Sequence, residues 1–223
     1  MAKPMPWSHS RLEQFANCPW AFFRLEVKRD IKKVQGKEAS WGEWVHEQFR
    51  YRANHPGYEL PAELSQHEPH MKRLDAREGV LATELKVGLT RELQPCDFMS
   101  QDIWWRGIID WRKISGKQAQ LEDYKTGKPH MKFSQLAEFA LFTFYEHPEV
   151  NLVDAQYYWT VDCTSTRRVW SRKEIPLLWA MFQADLKQYK IAFQTETWQK
   201  RPSGLCAGYC AVKDCEYWKP RRT

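Results

Sequence analysis

Arg106-Gly107-Ile108-Ile109-Asp110 carries an apolar run into an acid, and Leu121-Glu122-Asp123-Tyr124-Lys125-Thr126-Gly127 supplies a second acid and a lysine thirteen residues after the first. Ile103 to Lys113 and Gln120 to Lys125 read as strands, joined by a turn at Ser115-Gly116-Lys117. Side chains repeat every two residues along a strand, so Asp123 and Lys125 project from one face. If the two strands pair as a hairpin, Asp110 can approach Asp123. Two carboxylates and a nearby backbone carbonyl suit a hard divalent cation that keeps waters for chemistry. A lysine beside them can position a water and offset developing charge. Taken alone, the same residues read equally well as charges at a hairpin end, because Asp-x-Lys is a common triplet.

Outward from this hairpin, the period of the apolar residues sorts the chain. Leu81, Thr83, Leu85, Val87 and Leu89 alternate with more polar neighbours, which predicts a preceding strand. Ser10-Arg11-Leu12-Glu13 reads as a capping box opening a helix with Leu12, Phe15 and Ala16 on its apolar face, and Pro19 falls early in the next turn. A second helix is expected from Trp41 to about Tyr51, with Gly42 and His46 four apart on one face. Asn54 to Pro69 reads as a surface connection, followed by a short polar helix around His70 to Glu78. His55, His67 and His70 are irregularly spaced in this hydrophilic stretch and are expected to be exposed.

Downstream, Ser134 is expected to cap a helix through Leu136, Phe139, Ala140 and Tyr145, stopped by Pro148. Ala155 to Val161 and Arg167 to Trp170 form a hairpin around Thr164-Ser165-Thr166. An amphipathic helix from Lys173 to Gln194 and a cysteine-containing tail follow. Helix, three strands, helix and strand, wrapped by terminal helices, make an α/β chain with a mixed sheet rather than a regular βαβ array.

Composition narrows the class. A length of 223 residues suits one elaborated domain, or a core with a small appendage, without covalent staples. With 34 Lys+Arg against 28 Asp+Glu the net charge is +6, a mild excess that fits a polyanionic partner without requiring one. No stretch approaches the ~18 apolar residues of a membrane span. Met1 to Gln14 lacks the apolar core of a secretory signal, which makes a cytoplasmic, intracellular protein the expectation. Six cysteines in that compartment read as thiols or metal ligands. Three of them, Cys206, Cys210 and Cys215, fall within ten residues, whereas Cys96 and Cys163 stand alone.

Gly-Ile-Ile-Asp followed by Asp-Tyr-Lys-Thr-Gly resembles the PD-(D/E)XK nuclease superfamily, and specifically its RecB-like exonuclease branch, which includes CRISPR-associated exonucleases and the AddB nuclease domain. Four further elements agree in order. Ser8-His9-Ser10-Arg11-Leu12-Glu13-Gln14-Phe15-Ala16-Asn17-Cys18-Pro19 is similar to the branch's S-x-S-x-L-x-x-F-x-x-C-P segment, and Gly42-Glu43-Trp44-Val45-His46 to its G-x-x-x-H helix. Glu84 stands where an acid often occupies the first core strand. Gln135-Leu136-Ala137-Glu138-Phe139 resembles the Q-L-x-x-Y helix, with Phe139 in place of the usual tyrosine and so without its hydroxyl. Ile109 replaces the motif's nominal proline.

The resemblance implies an αβββαβ core over about residues 40–162 within a single nuclease domain of residues 1–223. It implies Mg²⁺ or Mn²⁺ held by His46, Asp110, Asp123 and the Tyr124 carbonyl, with Glu84 as a further candidate. Lys125 would be the catalytic cation and Gln135 would lie near the reacting phosphate. Phosphodiester hydrolysis of DNA, single-stranded or with free ends, is the implied reaction. A structure-selective endonuclease, or a non-catalytic DNA-binding or adaptor subunit of a recombination, repair or CRISPR-adaptation complex, are the alternatives. Members of this branch also join one N-terminal and three C-terminal cysteines around a [4Fe–4S] cluster. That implies Cys18 with Cys206, Cys210 and Cys215, tying the helix at 8–25 to the segment 173–223. The spacing here is C-x3-C-x4-C rather than C-x2-C-x5-C, and Zn²⁺ is the alternative occupant of four thiolates. Trp198-Gln199-Lys200-Arg201 and Tyr217-Trp218-Lys219-Pro220-Arg221-Arg222 beside these cysteines could stack on single-stranded DNA, but packing under a metal subdomain is the preferred reading.

Overall fold

The computed structural model describes residues 4–32 and 36–220. They divide into two compact units, 36–179 and a second formed by 4–32 together with 180–220. In the larger unit, helix α3 (Lys37–Asn54) is followed by a short 3-10 turn (Ala62–His67) and α4 (Glu68–Asp75). Strands β1 (Val80–Leu89), β2 (Trp105–Ser115) and β3 (Gln118–Lys125) come next, then α5 (Ser134–Glu146), β4 (Leu152–Trp159) and β5 (Thr164–Ser171). The sheet order is β1-β2-β3-β4-β5. Only the β3–β4 pair is parallel, and α5 makes its crossover. The expected mixed α/β core is therefore present, with β5 added as an antiparallel edge.

Alternation along β3 sets its two faces. Tyr124 packs with Val45 and Phe49 of α3 and with Tyr158 in one buried cluster, which also takes in Met71, Leu74 and Trp111. Lys125 projects the other way, where its Nζ meets Gln135 of α5 at 2.8 Å. Each fully buried aromatic or aliphatic side chain contributes roughly 1.5–3 kcal/mol, so this cluster is what holds α3 against the sheet.

Several local expectations give way to tertiary contacts. The β4–β5 turn lies at Thr160–Cys163, and Thr164-Ser165-Thr166 begin β5 instead. Cys163 takes φ +57°, and Asp162 Oδ1 accepts from the Thr164 N–H at 3.2 Å. Ser134 is the first residue of α5 rather than its cap; Phe133 holds the cap position, its ring fixed by the Arg168 guanidinium 5.6 Å away. His67 and His70 are buried, against expectation, whereas His55 is exposed. His70 stacks on Tyr158 at 3.7 Å and meets Glu122 at 3.2 Å, and His67 Nδ1 lies 2.9 Å from the Tyr158 hydroxyl. Polar residues in a hydrophilic stretch were thus drawn inward by a buried carboxylate and a buried phenol, each of which needs a partner. Cys163 is not isolated either, because its Sγ lies 3.4 Å from His67 Nδ1.

In the smaller unit, α1 (His9–Asn17) starts two residues before the expected capping box. The Ser8 side chain accepts from the Arg11 N–H at 3.4 Å. Trp7 and Leu12, both buried, occupy the staple positions around that cap, which explains the earlier start. α2 (Pro19–Phe22), a π-helical turn (Phe23–Val27) and α6 (Ile175–Thr195) follow, and the division between units falls inside α6. Phe15, Phe22, Tyr189 and Phe193 form an aromatic core with Trp198, whose ring lies 5.0 Å from Phe193 and stacks on Phe23 at 5.1 Å. Trp198 is therefore a packing residue. Arg221 and Arg222 lie outside the described residues. No helix among the described residues is long and apolar enough to cross a membrane.

Candidate active site

The site forms where the strand ladder breaks. β1 and β2 pair from Val80–Ile114 to Leu89–Trp105, but the pairing skips the step where Glu84 faces Asp110, and Glu84 adopts φ +47°. β2 and β3 pair from Ser115–Gln118 to Trp111–Glu122 and stop one step before Asp110 would face Asp123. Asp110 therefore sits at a break on one side and a fork on the other. The fork frees the Tyr124 N–H, which donates to Asp110 Oδ2 at 2.8 Å.

α3 brings His46 to this fork. A Cβ on Gly42, one turn earlier, would come within 3.3 Å of Thr126 Oγ1, so a methyl fits there with a slight shift of Thr126, and a larger side chain would push the helix off the end of β3. His46 Nε2 lies 2.9 Å from the Tyr124 carbonyl oxygen, and Nδ1 lies 3.3 Å from Asp110 Oδ2. Both ring nitrogens face acceptors, an arrangement that only the imidazolium satisfies with two donors. Burial works against that charge, but Asp110, Asp123 and Glu84 outweigh it and hold the histidine pKa up at about 9.

The carboxylates feel the opposite pressure. Asp123 is 1% exposed; burial and Asp110 push its pKa up to about 6, although Lys125 opposes them with Nζ 2.5 Å from Asp123 Oδ2. Glu84 is raised as well, by burial first and by Asp110 next. His46, Glu84 and Asp110 offer ligand atoms within 4.8 Å of one another, the one such trio of His, Cys, Asp or Glu among the described residues. Two carboxylates and an imidazole, with the Tyr124 carbonyl alongside, are the donor set of a divalent cation that prefers oxygen. The structure thus brings His46, Glu84, Asp110, Asp123, Lys125 and Gln135 to one place, whereas Phe139 is buried and packs near Gly107.

Behind the site lies a network that was not expected. Glu122, fully buried on the other face of β3, accepts from His70, from Arg77 Nη1 at 3.3 Å and from Gln156 Nε2. A glutamate on the core face of an otherwise apolar alternation in Leu121-Glu122-Asp123-Tyr124 was the available signal. Its partners pin β3 directly beside Asp123.

In the smaller unit, Cys18, Cys206, Cys210 and Cys215 line one cavity of about 430 Å³, together with Trp20 and Trp218. Cys18 arrives on the extended residue between α1 and α2, and the Trp218 indole N–H donates to the Cys210 carbonyl at 3.1 Å. Burial pushes the Cys210 thiol up.

The family model of the PD-(D/E)XK nuclease superfamily matches residues 6–215. No curated protein matches the chain. Among solved structures, the crystal structure of a "putative exonuclease" from Eubacterium rectale is similar at a TM-score of 0.52 and 12% identity, over 95% of this chain and 86% of that one. The crystal structure of SSO0001 gives a TM-score of 0.48 at 11% identity, over 97% of this chain and 88% of the other. At such identities the likeness to the first of these speaks for the fold alone.

Proposed function

Because the chain belongs to the PD-(D/E)XK nuclease superfamily, whose fold implies a nucleic-acid substrate, we propose that it is a divalent-metal-dependent DNA exonuclease of the RecB-like branch, acting on DNA ends or single strands. The observation that carries this reading is the convergence of Glu84, Asp110, Asp123 and His46 at the fork, with Lys125 poised between Asp123 and Gln135. Asp110, Asp123, His46 and the Tyr124 carbonyl would hold Mg²⁺ or Mn²⁺, with Glu84 as a further acid. A divalent cation in such a place supplies Lewis-acid polarisation of a phosphate and a more acidic water.

The chain's own residues do the rest. Asp110 is oriented by the Tyr124 N–H and cannot swing away without leaving that donor unpaired. Lys125 is held by a carboxylate on one side and an amide oxygen on the other, so its ammonium is fixed where negative charge develops on a phosphate. Gln135 sets the lysine's direction. Glu122 and its partners keep β3 in register behind them.

We further propose that Cys18, Cys206, Cys210 and Cys215 hold a [4Fe–4S] cluster of structural role. Four cysteines lining one cavity supply the ligand count of such a cluster, and Zn²⁺ is the alternative occupant.

The nuclease reading is tested with end-labelled linear DNA and covalently closed circles, incubated with Mg²⁺ or Mn²⁺. Mononucleotide release from linear DNA alone is the expected result. Cutting of closed circles would make the protein an endonuclease. No cleavage of either DNA by folded, metal-supplied protein would refute the catalytic reading and favour a binding or adaptor role.

A further inference from the structure

A strand being cut must also be held away from the cut. The segment Thr126–Phe133 runs from Lys125 to the first turn of α5, and Gly127 through Lys132 are exposed. Four contacts fix its course. His130 sets its ring edge-on against Tyr157 at 5.5 Å and Trp159 at 4.9 Å, the Lys132 N–H donates to His130 Nδ1 at 3.3 Å, and Arg168 lies over Phe133. Lys128 and Lys132 therefore flank an anchored histidine, and Arg168 meets the end of the same loop.

The sheet register says where these cations stand. Asp123, Tyr157 and Thr166 form one row across β3, β4 and β5, and Arg168 follows Thr166 by two residues on the same face. With strands about 4.8 Å apart and a rise of about 3.3 Å per residue, the Arg168 backbone is on the order of 12 Å from that of Asp123. Among the described residues no carboxylate pairs with Lys128, Lys132 or Arg168. Asp154, the one acid of β4 and β5, projects from the opposite face and is gripped there by Arg167 at 2.6 and 2.7 Å. Tyr157 and Trp159 beneath the loop are 1% exposed, so the surface offers charge without a stacking platform.

We propose that Lys128, Lys132 and Arg168 form a phosphate-binding site that grips the backbone of the cut strand next to the reacting phosphate. The inference rests on the nuclease reading of the neighbouring carboxylates. Such a site reads charge and not base identity, and its contribution is released by salt.

The test is the affinity of a fluorescein-labelled single-stranded oligonucleotide, measured by anisotropy across a salt series in EDTA, so that nothing is cut. Each neutralised phosphate contributes about −0.7 to the log–log salt slope on single strands. Lys128→Gln/Lys132→Gln/Arg168→Gln should shrink the slope by about 2 and weaken low-salt binding at least tenfold. Arg168 also packs on Phe133, so Lys128→Gln/Lys132→Gln is measured in parallel; both sites are exposed, and the slope should shrink by about 1.4. Lys117→Gln, at the far end of β3, should leave the slope unchanged. Variants that bind with the wild-type slope would overturn the site, as would wild-type protein that does not bind the oligonucleotide. Wild-type protein that binds as described yet cuts nothing with Mg²⁺ or Mn²⁺ would instead sink the nuclease reading and leave the phosphate site standing.

Discussion

Lys125→Met separates catalysis from folding, because the structure predicts different magnitudes for the two. The Lys125 ammonium is the nearest positive charge to Asp123, which is nearly inaccessible to solvent. Breaking a buried ion pair from one side usually costs about 3–5 kcal/mol, because a charge is left alone in a poor solvent. Asp123 has an escape. With its pKa already near 6, the neutral carboxyl lies only on the order of 1 kcal/mol above the carboxylate at pH 7. Once the lysine is gone Asp123 takes up a proton, so the metal-free variant should lose only about 1–2 kcal/mol. Catalysis has no such escape, since neither a methionine nor a protonated aspartate can offset charge on a phosphate. Removal of one such electrostatic stabiliser costs about 10²–10³ in rate.

The assay pairs urea denaturation with single-turnover cleavage. The sign of the pH dependence is a further check. In the variant the folded state holds a proton on Asp123 that the unfolded state has released, so metal-free stability should rise as pH falls from about 8 to 6. A variant cleaving within tenfold of wild type would refute the role given to Lys125. A variant losing more than about 4 kcal/mol would show that Asp123 cannot protonate and that the lysine is structural first.

The other predictions are shorter. In metal-free protein the His46 ring should titrate near pH 9 by NMR; this raised pKa stabilises the fold fully below about 6.5, the benefit fading as pH rises through 9, and saturating Mg²⁺ should abolish the titration. A His46 resonance that titrates near 6.5 without metal would remove the pairing with Asp110. Gly42→Val should push α3 off Thr126 and cost about 1–3 kcal/mol together with activity, whereas Gly42→Ala should be nearly neutral in stability; equal behaviour of the two would mean that the close approach does not matter. Anaerobically purified protein should be brown with about four irons, and serine at Cys18, Cys206, Cys210 or Cys215 should bleach it and lower the melting temperature, unlike serine at Cys96. Stoichiometric zinc without iron would sink the cluster.

Much of the larger unit was legible because period and position agreed there. The alternation through Leu121–Lys125 and the apolar run into Asp110 define two strands wherever they fold, and Gly116 marks their turn. What was not legible depended on partners far along the chain. Nothing near His70 announces that it will stack on Tyr158 and meet Glu122, since those residues lie beyond β2. Ser10-Arg11-Leu12-Glu13 satisfies a local capping rule, yet a buried Trp7 fixes the start at Ser8. The alternation of Leu81, Thr83, Leu85 and Val87 would put Glu84 with Lys86 on the polar face of a regular strand. The left-handed backbone of Glu84 and its place opposite Asp110 exist only once β1 pairs with β2.

These last details weigh against the blander reading of the hairpin. A surface pair of Asp123 and Lys125 would leave the aspartate in water, where carboxylates are stable, but it is buried. An ordinary strand would keep Glu84 in the β region. The left-handed turn costs about 1–3 kcal/mol and directs an acid toward another acid, which raises its pKa further. Three carboxylates drawn together, two of them buried, destabilise the fold unless positive charge answers them. His46 and Lys125 answer in part, and the histidine's raised pKa measures the negative field that they meet. Strain and like charge concentrated at one break in the ladder have a physical rationale if a divalent cation enters. Such an ion should stabilise the folded protein by mass action, in proportion to the logarithm of its concentration above the dissociation constant. Melting temperature measured against Mg²⁺ or Mn²⁺ concentration should therefore climb for the wild type and stay flat for Asp110→Asn. A flat response in the wild type would leave the crowding of acids at Asp110 without a reason.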